Sequence, residues 1–313
     1  MFKAGIYKKE QLSEQRLYSF WGKRRYVTLA LYNEFPGTED QVERYQEHVI
    51  NRVATANGSF KKTHSNRFDA FDDLSLSHIQ KQYPGAQSLR VHDLAVSDGR
   101  TTVPYFKKLS DIYGESLKYK ASDYAPYFKI IRRKGSPSHV VIDSDGTLIQ
   151  FTVSPFVFNA VQPENKFVYP VNFIAREILR RKFVNPLLQN YKHDPQDIDV
   201  QDLSLLCSAC QNLIDTDKRF TFEQYNILGP GNDRFDVVRA MNILNPSYFD
   251  EKKMKVAISN IHHSLETDGI LITGSNMEQG TTVNGGIYRR TEKGFTLLEK
   301  SGEGSPVSDF LEV

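Results

Sequence analysis

Residues 88–100, SLRVHDLAVSDGR, put an acidic residue, a run of small side chains and a helix start into one short stretch. Leu89, Val91, Leu94 and Val96 have the apolar, partly β-branched character of a central strand, and Ala95, Ser97, Asp98 and Gly99 break it. Thr101 and Thr102 stand where a helix needs a cap, and Val103, Phe106, Leu109 and Ile112 then recur at helical spacing. A strand, a turn with little side-chain bulk and a helix N-terminus form the unit with which α/β proteins hold a nucleotide-like ligand against backbone. Asp123 follows at the end of a second apolar run, residues 117–122 (LKYKAS). A carboxylate about 25 residues past such a turn is placed to accept from ribose hydroxyls. Its other reading, the N-cap of a helix over 124–133, is compatible with that role.

The remaining chemistry-bearing residues point to structure first. Cys207 and Cys210 form a C-x-x-C pair with no second pair and no histidine at finger spacing. Set among leucines, they read as one face of a buried helix and not as a zinc site, and no metal is expected. The basic runs at 129–134 (KIIRRK) and 176–182 (REILRRK) read as solvated helix faces, with an anionic substrate or partner as the lesser reading. His92, Tyr124, Tyr127 and Tyr169 are candidates to move a proton, but each has an ordinary structural role as its first reading.

A chain of 313 residues with 39% hydrophobic and 25% charged residues has the material for one large domain and an added subdomain. A net charge of +2 gives no global field for nucleic acid or an anionic membrane, and neither is expected as a partner. The amino terminus lacks the apolar run of a signal peptide, and no window reaches the roughly 18 apolar residues of a membrane span. Cytoplasmic residence is the expectation.

The elements that must position these residues fall into three parts. Residues 1–85 read as a mostly helical prefix or lid, with helices over 10–21, 39–56 and 68–83 and an undecided segment, helix or strand, over 25–35. Residues 86–313 read as an α/β core with strands over 117–122, 219–223, 235–241 and 270–275, a helix over 249–266 and a closing antiparallel hairpin over 287–299. An insertion at about 136–215 interrupts this alternation and is expected to build the substrate side. It opens with a hairpin around Asp145-Gly146, continues through an irregular stretch at 156–169 and a helix over 171–191, then a polar connection at 194–202 and a helix over 203–214.

From residue 88 to the carboxyl terminus, most of the insertion apart, the chain resembles the class I S-adenosylmethionine-dependent methyltransferases. Its last third is similar to the CheR-type protein-glutamate methyltransferases. That family's strand ending in Asn-Leu, its F-D-x-I-x-x-R-N-V run and its Tyr-Phe pair are echoed by Asn226-Ile227, FDVVRAMNIL and Tyr248-Phe249. Its L-x-P-G-G-x-L strand and Y-R close are echoed by SLETDGILITGS and Ile287-Tyr288-Arg289. The family's first motif, an acidic residue before three alternating glycines, matches Asp93-x-Ala95-x-Ser97-x-Gly99, with two glycines replaced by the next smallest residues.

The resemblance implies a Rossmann-like seven-stranded sheet and S-adenosylmethionine as cofactor. Asp93 and the turn of Ala95, Ser97 and Gly99 would hold its amino acid part, Asp123 its ribose, and Asn226 with Ile227 its adenine. Met241, where the family often has arginine, and Asn242 would line the site from the fourth strand, Asn242 being the best candidate beside the methyl group. The implied activity is methyl transfer to an oxygen or nitrogen of a small-molecule or protein acceptor, a carboxylate included. A cyclase or lyase that consumes the cofactor itself, or a binding module without turnover, are the other readings of the same residues.

Overall fold

The computed structural model describes residues 5–19, 26–53, 64, 67–160, 170–246, 248–276 and 282–311. In chain order, α1 (Glu14–Tyr18) is capped by Ser13, and α2 (Glu39–Ile50) begins where Gln41 reaches back to accept from Thr38 N at 2.8 Å. Next come α3 (Asp69–Gln82), β1 (Leu89–Leu94), α4 (Thr102–Tyr113) and β2 (Leu117–Asp123). Four strands follow, β3 (Tyr127–Arg133), β4 (His139–Asp143), β5 (Leu148–Val153) and β6 (Phe156–Asn159). A π-helical turn at Arg180–Val184 then joins α5 (Pro170–Leu179) to α6 (Asn185–His193), ahead of β7 (Ile198–Ser204). The rest comprises α7 (Ser208–Thr216), β8 (Phe220–Gln224), β9 (Phe235–Met241), α8 (Glu251–Ser264), β10 (Leu265–Asn276), β11 (Val283–Arg290), β12 (Phe295–Ser301) and α9 (Ser308–Leu311).

These elements form two compact units, one of residues 1–63 and 125–208, the other of residues 64–124 and 209–313. The second unit holds a seven-stranded sheet in the order β12-β11-β10-β9-β1-β2-β8. Its strands β8, β2, β1, β9 and β10 are parallel, and β11 and β12 add an antiparallel edge. The expected Rossmann-like α/β sheet with its closing hairpin is therefore what the chain forms. β1 and β9 are buried nearly end to end, which is why their sequences are apolar runs without alternation. Met254, Ala257 and Ile261 of α8 pack on Val238, Ala240 and Leu271, and each of the larger side chains among them contributes about 1.5–3 kcal/mol when fully buried. On α4, Val103, Phe106 and Leu109 are buried as the spacing predicts, whereas Ile112 is exposed.

The first unit is a five-stranded antiparallel sheet in the order β6-β5-β4-β3-β7. Leu17, Leu29, Tyr32, Tyr45 and Val49 from the first 63 residues cover one face through Phe128, Ile130, Val141 and Ile149. Val184 and Leu187 cover the other through Ile131, Val140 and Phe151. A buried polar seam fastens the amino-terminal segment. His139 Nδ1 donates to the Pro137 carbonyl at 3.0 Å, so Nε2 accepts from Thr28 Oγ1 at 2.6 Å, and Gln150 Oε1 accepts from Leu29 N at 2.7 Å.

Several expectations are corrected. Residues 127–133 are strand β3 and not a helix, because Phe128 and Ile130 face the core while Tyr127 and Lys129 face out, a period of two. The basic run at 129–134 accordingly lies on a strand, where Arg132 pairs at 2.7 Å with Asp199, its cross-strand neighbour on β7. The polar connection at 194–202 contains β7, an edge strand whose charged residues face outward and whose Ile198 and Leu203 are buried. The helix expected over 203–214 starts only at Ser208. The helix expected over 10–21 reduces to a 3₁₀ turn and α1 among the described residues, and Trp21 lies outside them. The undecided 25–35 segment holds a 3₁₀ turn at Leu29–Leu31. The units also cut the chain differently from a prefix, a core and an insertion at 136–215. α3 joins the seven-stranded sheet's unit, and the five-stranded sheet already begins at Tyr127, because its first strand was hidden in a basic run.

Candidate functional site

β1 lies between β2 and β9, so the chain leaves the sheet centre first in one direction and later in the other. In an open parallel sheet such a switch point leaves a crevice beyond the carboxyl ends of the strands. The turn after β1 lies there and has a defined backbone. Ala95, Ser97 and Gly99 have φ of 57°, 60° and 79°, so each of the three alternating positions is left-handed. For alanine and serine this conformation costs about 1–2 kcal/mol per residue, strain that persists only where surrounding contacts impose it.

Those contacts come from β2 and from within the turn. Val96 N donates to Ser122 O at 3.1 Å, Gly99 N to Val96 O at 3.0 Å, and Ser97 N to Asp123 Oδ2 at 2.7 Å. Ser97 Oγ is buried and has no hydrogen-bond partner among the described residues. Gly99 is required twice over. Its φ is positive, and a Cβ there would stand 2.4 Å from Cys210 Sγ. Cys210 of α7 thus packs against the turn, in keeping with its reading as a core residue; both cysteines are buried and neither is in a disulfide.

Asp93 sits below the turn in a buried network. Its Oδ2 accepts from Thr102 Oγ1 at 2.7 Å, Tyr119 OH at 2.8 Å and Arg239 Nη1 at 3.0 Å, and Arg239 Nη1 lies 3.1 Å from Oδ1. Arg239, from the middle of β9, turns its other edge to Asp72 of α3, with Nη2 3.0 Å and Nε 3.2 Å from Oδ1. The Tyr105 ring lies 4.6 Å from its guanidinium carbon and the Phe68 ring 5.4 Å. Burial alone would lower the Arg239 pKa, but Asp72 and Asp93 raise it above its ordinary value. Burial pushes Asp72 up to about 6 despite Arg239. A second pair lies past the turn, where Arg100 Nε donates to Asp98 Oδ2 at 3.1 Å with both side chains buried.

The other expected residues sit at neighbouring strand ends. Asp123 closes β2 and Asn226 follows β8, its Oδ1 accepting from Leu228 N at 3.0 Å in a local turn. Ile227 is buried in the core on α8's side of the sheet. Met241 is the buried last residue of β9. Asn242 is left-handed at φ 59°, and its side chain exchanges two hydrogen bonds with Asn276 at the end of β10, of 2.9 and 3.1 Å.

Of the proton-transfer candidates, His92 is buried beside Phe235, with Nε2 2.9 Å from Ser122 Oγ, and burial lowers its pKa to about 3. It stays neutral at physiological pH and is enclosed by the sheet. Tyr124 is exposed at the end of β2, Tyr127 is exposed on β3 in the other unit, and Tyr169 lies outside the described residues. A cleft of about 520 Å³ in that other unit, lined by Tyr18, Arg44, His48 and Arg52 among others, contains none of the expected residues.

Sequence reasoning missed Arg239, Asp72 and Asn276. A lone arginine inside the apolar strand FDVVRAM was a usable signal, since a charge buried in a central strand needs a partner. Asp72 and Asn276 carried none.

No family model matches the chain, and no curated protein matches it either. Solved structures do align with it. An O-methyltransferase family protein from Burkholderia thailandensis is 15% identical over 67% of this chain, with a TM-score of 0.30. The N-methyltransferase NodS from Bradyrhizobium japonicum WM9, in complex with S-adenosyl-L-homocysteine, is 12% identical over 73% of this chain and 72% of its own, with a TM-score of 0.33. The glycopeptide N-methyltransferase MtfA is 13% identical over 66% of this chain and 54% of its own, with a TM-score of 0.29. The chain spans 42% of the Burkholderia protein's length. Likenesses this distant add nothing to the strand order given above. Among the described residues, no helix is long and apolar enough to cross a membrane.

Proposed function

We propose that this chain binds S-adenosylmethionine at the carboxyl ends of β1, β2, β8 and β9 and transfers its methyl group to a small-molecule or protein acceptor. One observation carries the reading. The three positions that a glycine-rich cofactor turn would occupy, 95, 97 and 99, are all left-handed, and the carboxylate at the end of the next strand fastens the middle one. The chain maintains a glycine-like backbone although two of the residues are alanine and serine, at a cost that a mere connection would not require.

The residues present fit the cofactor in part. The turn offers backbone and the buried Ser97 Oγ, which has no partner among the described residues, to the amino acid portion. Asp123 is the acceptor for ribose hydroxyls, Asn226 and Ile227 border the adenine, and Met241 and Asn242 line the reacting side. When bound, S-adenosylmethionine supplies a methyl group already activated on a sulfonium. The protein's part is to align the acceptor and exclude water, with a base needed only for an acceptor that carries a proton. Burial lowers the His92 pKa to about 3, so that imidazole is not the base such an acceptor would use.

Titration calorimetry with S-adenosylmethionine tests the assignment. A micromolar-range dissociation constant that Asp123→Ala abolishes is expected, and no heat with the wild type sinks the cofactor. Product analysis then separates the chemistries, since methylthioadenosine in place of S-adenosylhomocysteine means that the cofactor is itself the substrate. A binding module without turnover is the second reading. It is favoured by the commitment of the Asn242 side chain to Asn276, and binding with neither product formed would establish it.

A further inference from the structure

We propose that Arg239 is the positioning residue of this site: held between Asp72 and Asp93, it fixes the turn at 95–99, and Asp93 acts on that turn without touching the cofactor. The inference rests on the cofactor reading above and concerns a residue that the turn's own sequence does not reveal.

The donors around Asp93 make the case. They come from Thr102 at the start of α4, Tyr119 on β2 and Arg239 on β9, and they engage both carboxylate oxygens. The Asp93 side chain is 1% exposed. Three donor groups and this burial together leave the carboxylate out of reach of a ligand ammonium. The bond from Thr102 to Asp93 instead spans the turn, joining the last part of β1 to the first residue of α4. The two ends of the left-handed segment are thereby pinned to each other.

Arg239 makes that pin rigid. Its planar fork meets Asp93 on one edge and Asp72 on the other, so α3, β1 and β9 share one guanidinium. Tyr105 and Phe68 border it. Lysine could keep the charge but could not reach both carboxylates with a flat fork. Loss of the fork frees Asp93 to rotate, and Ala95 and Ser97 then relax toward ordinary backbone conformations.

The test compares wild type, Arg239→Lys and Asp72→Asn by native-state hydrogen exchange and by calorimetry with S-adenosylhomocysteine as the probe. If Arg239→Lys does not fold, Asp72→Asn carries the same comparison, since it removes one side of the clamp with an isosteric residue. The expected result is exchange at the Ser97 and Gly99 amides faster by about tenfold or more, amides of α8 and β10 within about twofold, and a dissociation constant raised about tenfold or more. Exchange that rises evenly through the unit, or is unchanged at the turn, overturns the proposal, as does a dissociation constant within about twofold of wild type. If the wild type binds no probe, the cofactor reading fails, and the exchange comparison alone decides whether Arg239 braces the turn.

Discussion

Arg239 and Asp93, from neighbouring parallel strands, meet at 3.0 and 3.1 Å with both side chains about 1% exposed, and the turn that follows Asp93 holds two non-glycine residues in left-handed conformations. The buried pair lies directly beneath the strained segment. Removing one partner of such a pair costs about 3–5 kcal/mol, because the other is left as an uncompensated buried charge. Arg239→Leu is therefore expected to lower the urea midpoint sharply, whereas the exposed pair Arg132 and Asp199 is expected to lose under about 1 kcal/mol on Arg132→Ala.

The turn predicts opposite signs for similar changes. Ala95→Gly and Ser97→Gly each relieve about 1–2 kcal/mol of left-handed strain and restore about 0.5–1 kcal/mol of unfolded-chain entropy, so each is expected to stabilise by up to about 1.5 kcal/mol. Gly99→Ala is expected to destabilise by more than about 2 kcal/mol, since its Cβ would meet Cys210 Sγ at 2.4 Å. Urea unfolding of the three variants checks this, and a stabilised Gly99→Ala would refute the packing.

Acid should destabilise the protein through its buried histidines. Burial lowers His139 to about 4 and His92 to about 3, both from 6.5. Each is neutral in the folded chain and takes up a proton in the unfolded one. Their contribution is therefore complete above pH 6.5 and is lost as the pH falls from there toward the folded values. His139→Gln is expected to reduce the loss between pH 6.5 and 4.5 by roughly 1–3 kcal/mol, measured as the difference in unfolding free energy at the two pH values. An unchanged slope would remove His139 from the account.

Asn242 separates backbone from side chain. Asn242→Gly keeps the left-handed position and is expected to fold with a stability within about 1 kcal/mol of wild type, whereas Asn242→Val, β-branched at φ 59°, is expected to lose about 2 kcal/mol or more. Thermal melts give the comparison. If both variants melt alike, the backbone at 242 is not strained.

Much of the seven-stranded sheet was legible because its strands are buried on both faces and read as apolar runs between small-residue turns. The spacing of Ala95, Ser97 and Gly99 was legible too, though their left-handed backbone was visible only as residue size. The five-stranded sheet was partly lost, since the alternation in β3 is carried by lysine and arginine and resembles a charged helix face. Of the Arg239 clamp only the arginine itself was legible, as a charge inside an apolar strand; its partners Asp93 and Asp72 lie 146 and 167 residues away in sequence and nothing local marks them.

That separation has a consequence during synthesis. Asp93 leaves the ribosome well before Arg239, and at about 5–20 residues per second the interval is several seconds or longer. Over that interval β1, α4 and β2 exist without β9, and Asp93 lacks the charge that neutralises it. The intervening chain, residues 125–208, includes all five strands of the other sheet and can complete that unit with residues 1–63 already made. The order of emergence thus favours the antiparallel unit folding first and the parallel sheet later, once FDVVRAM inserts beside β1 and β10 follows it. A nascent chain stalled before residue 239 should display a protease-sensitive turn at 95–99 while its five-stranded sheet is already resistant.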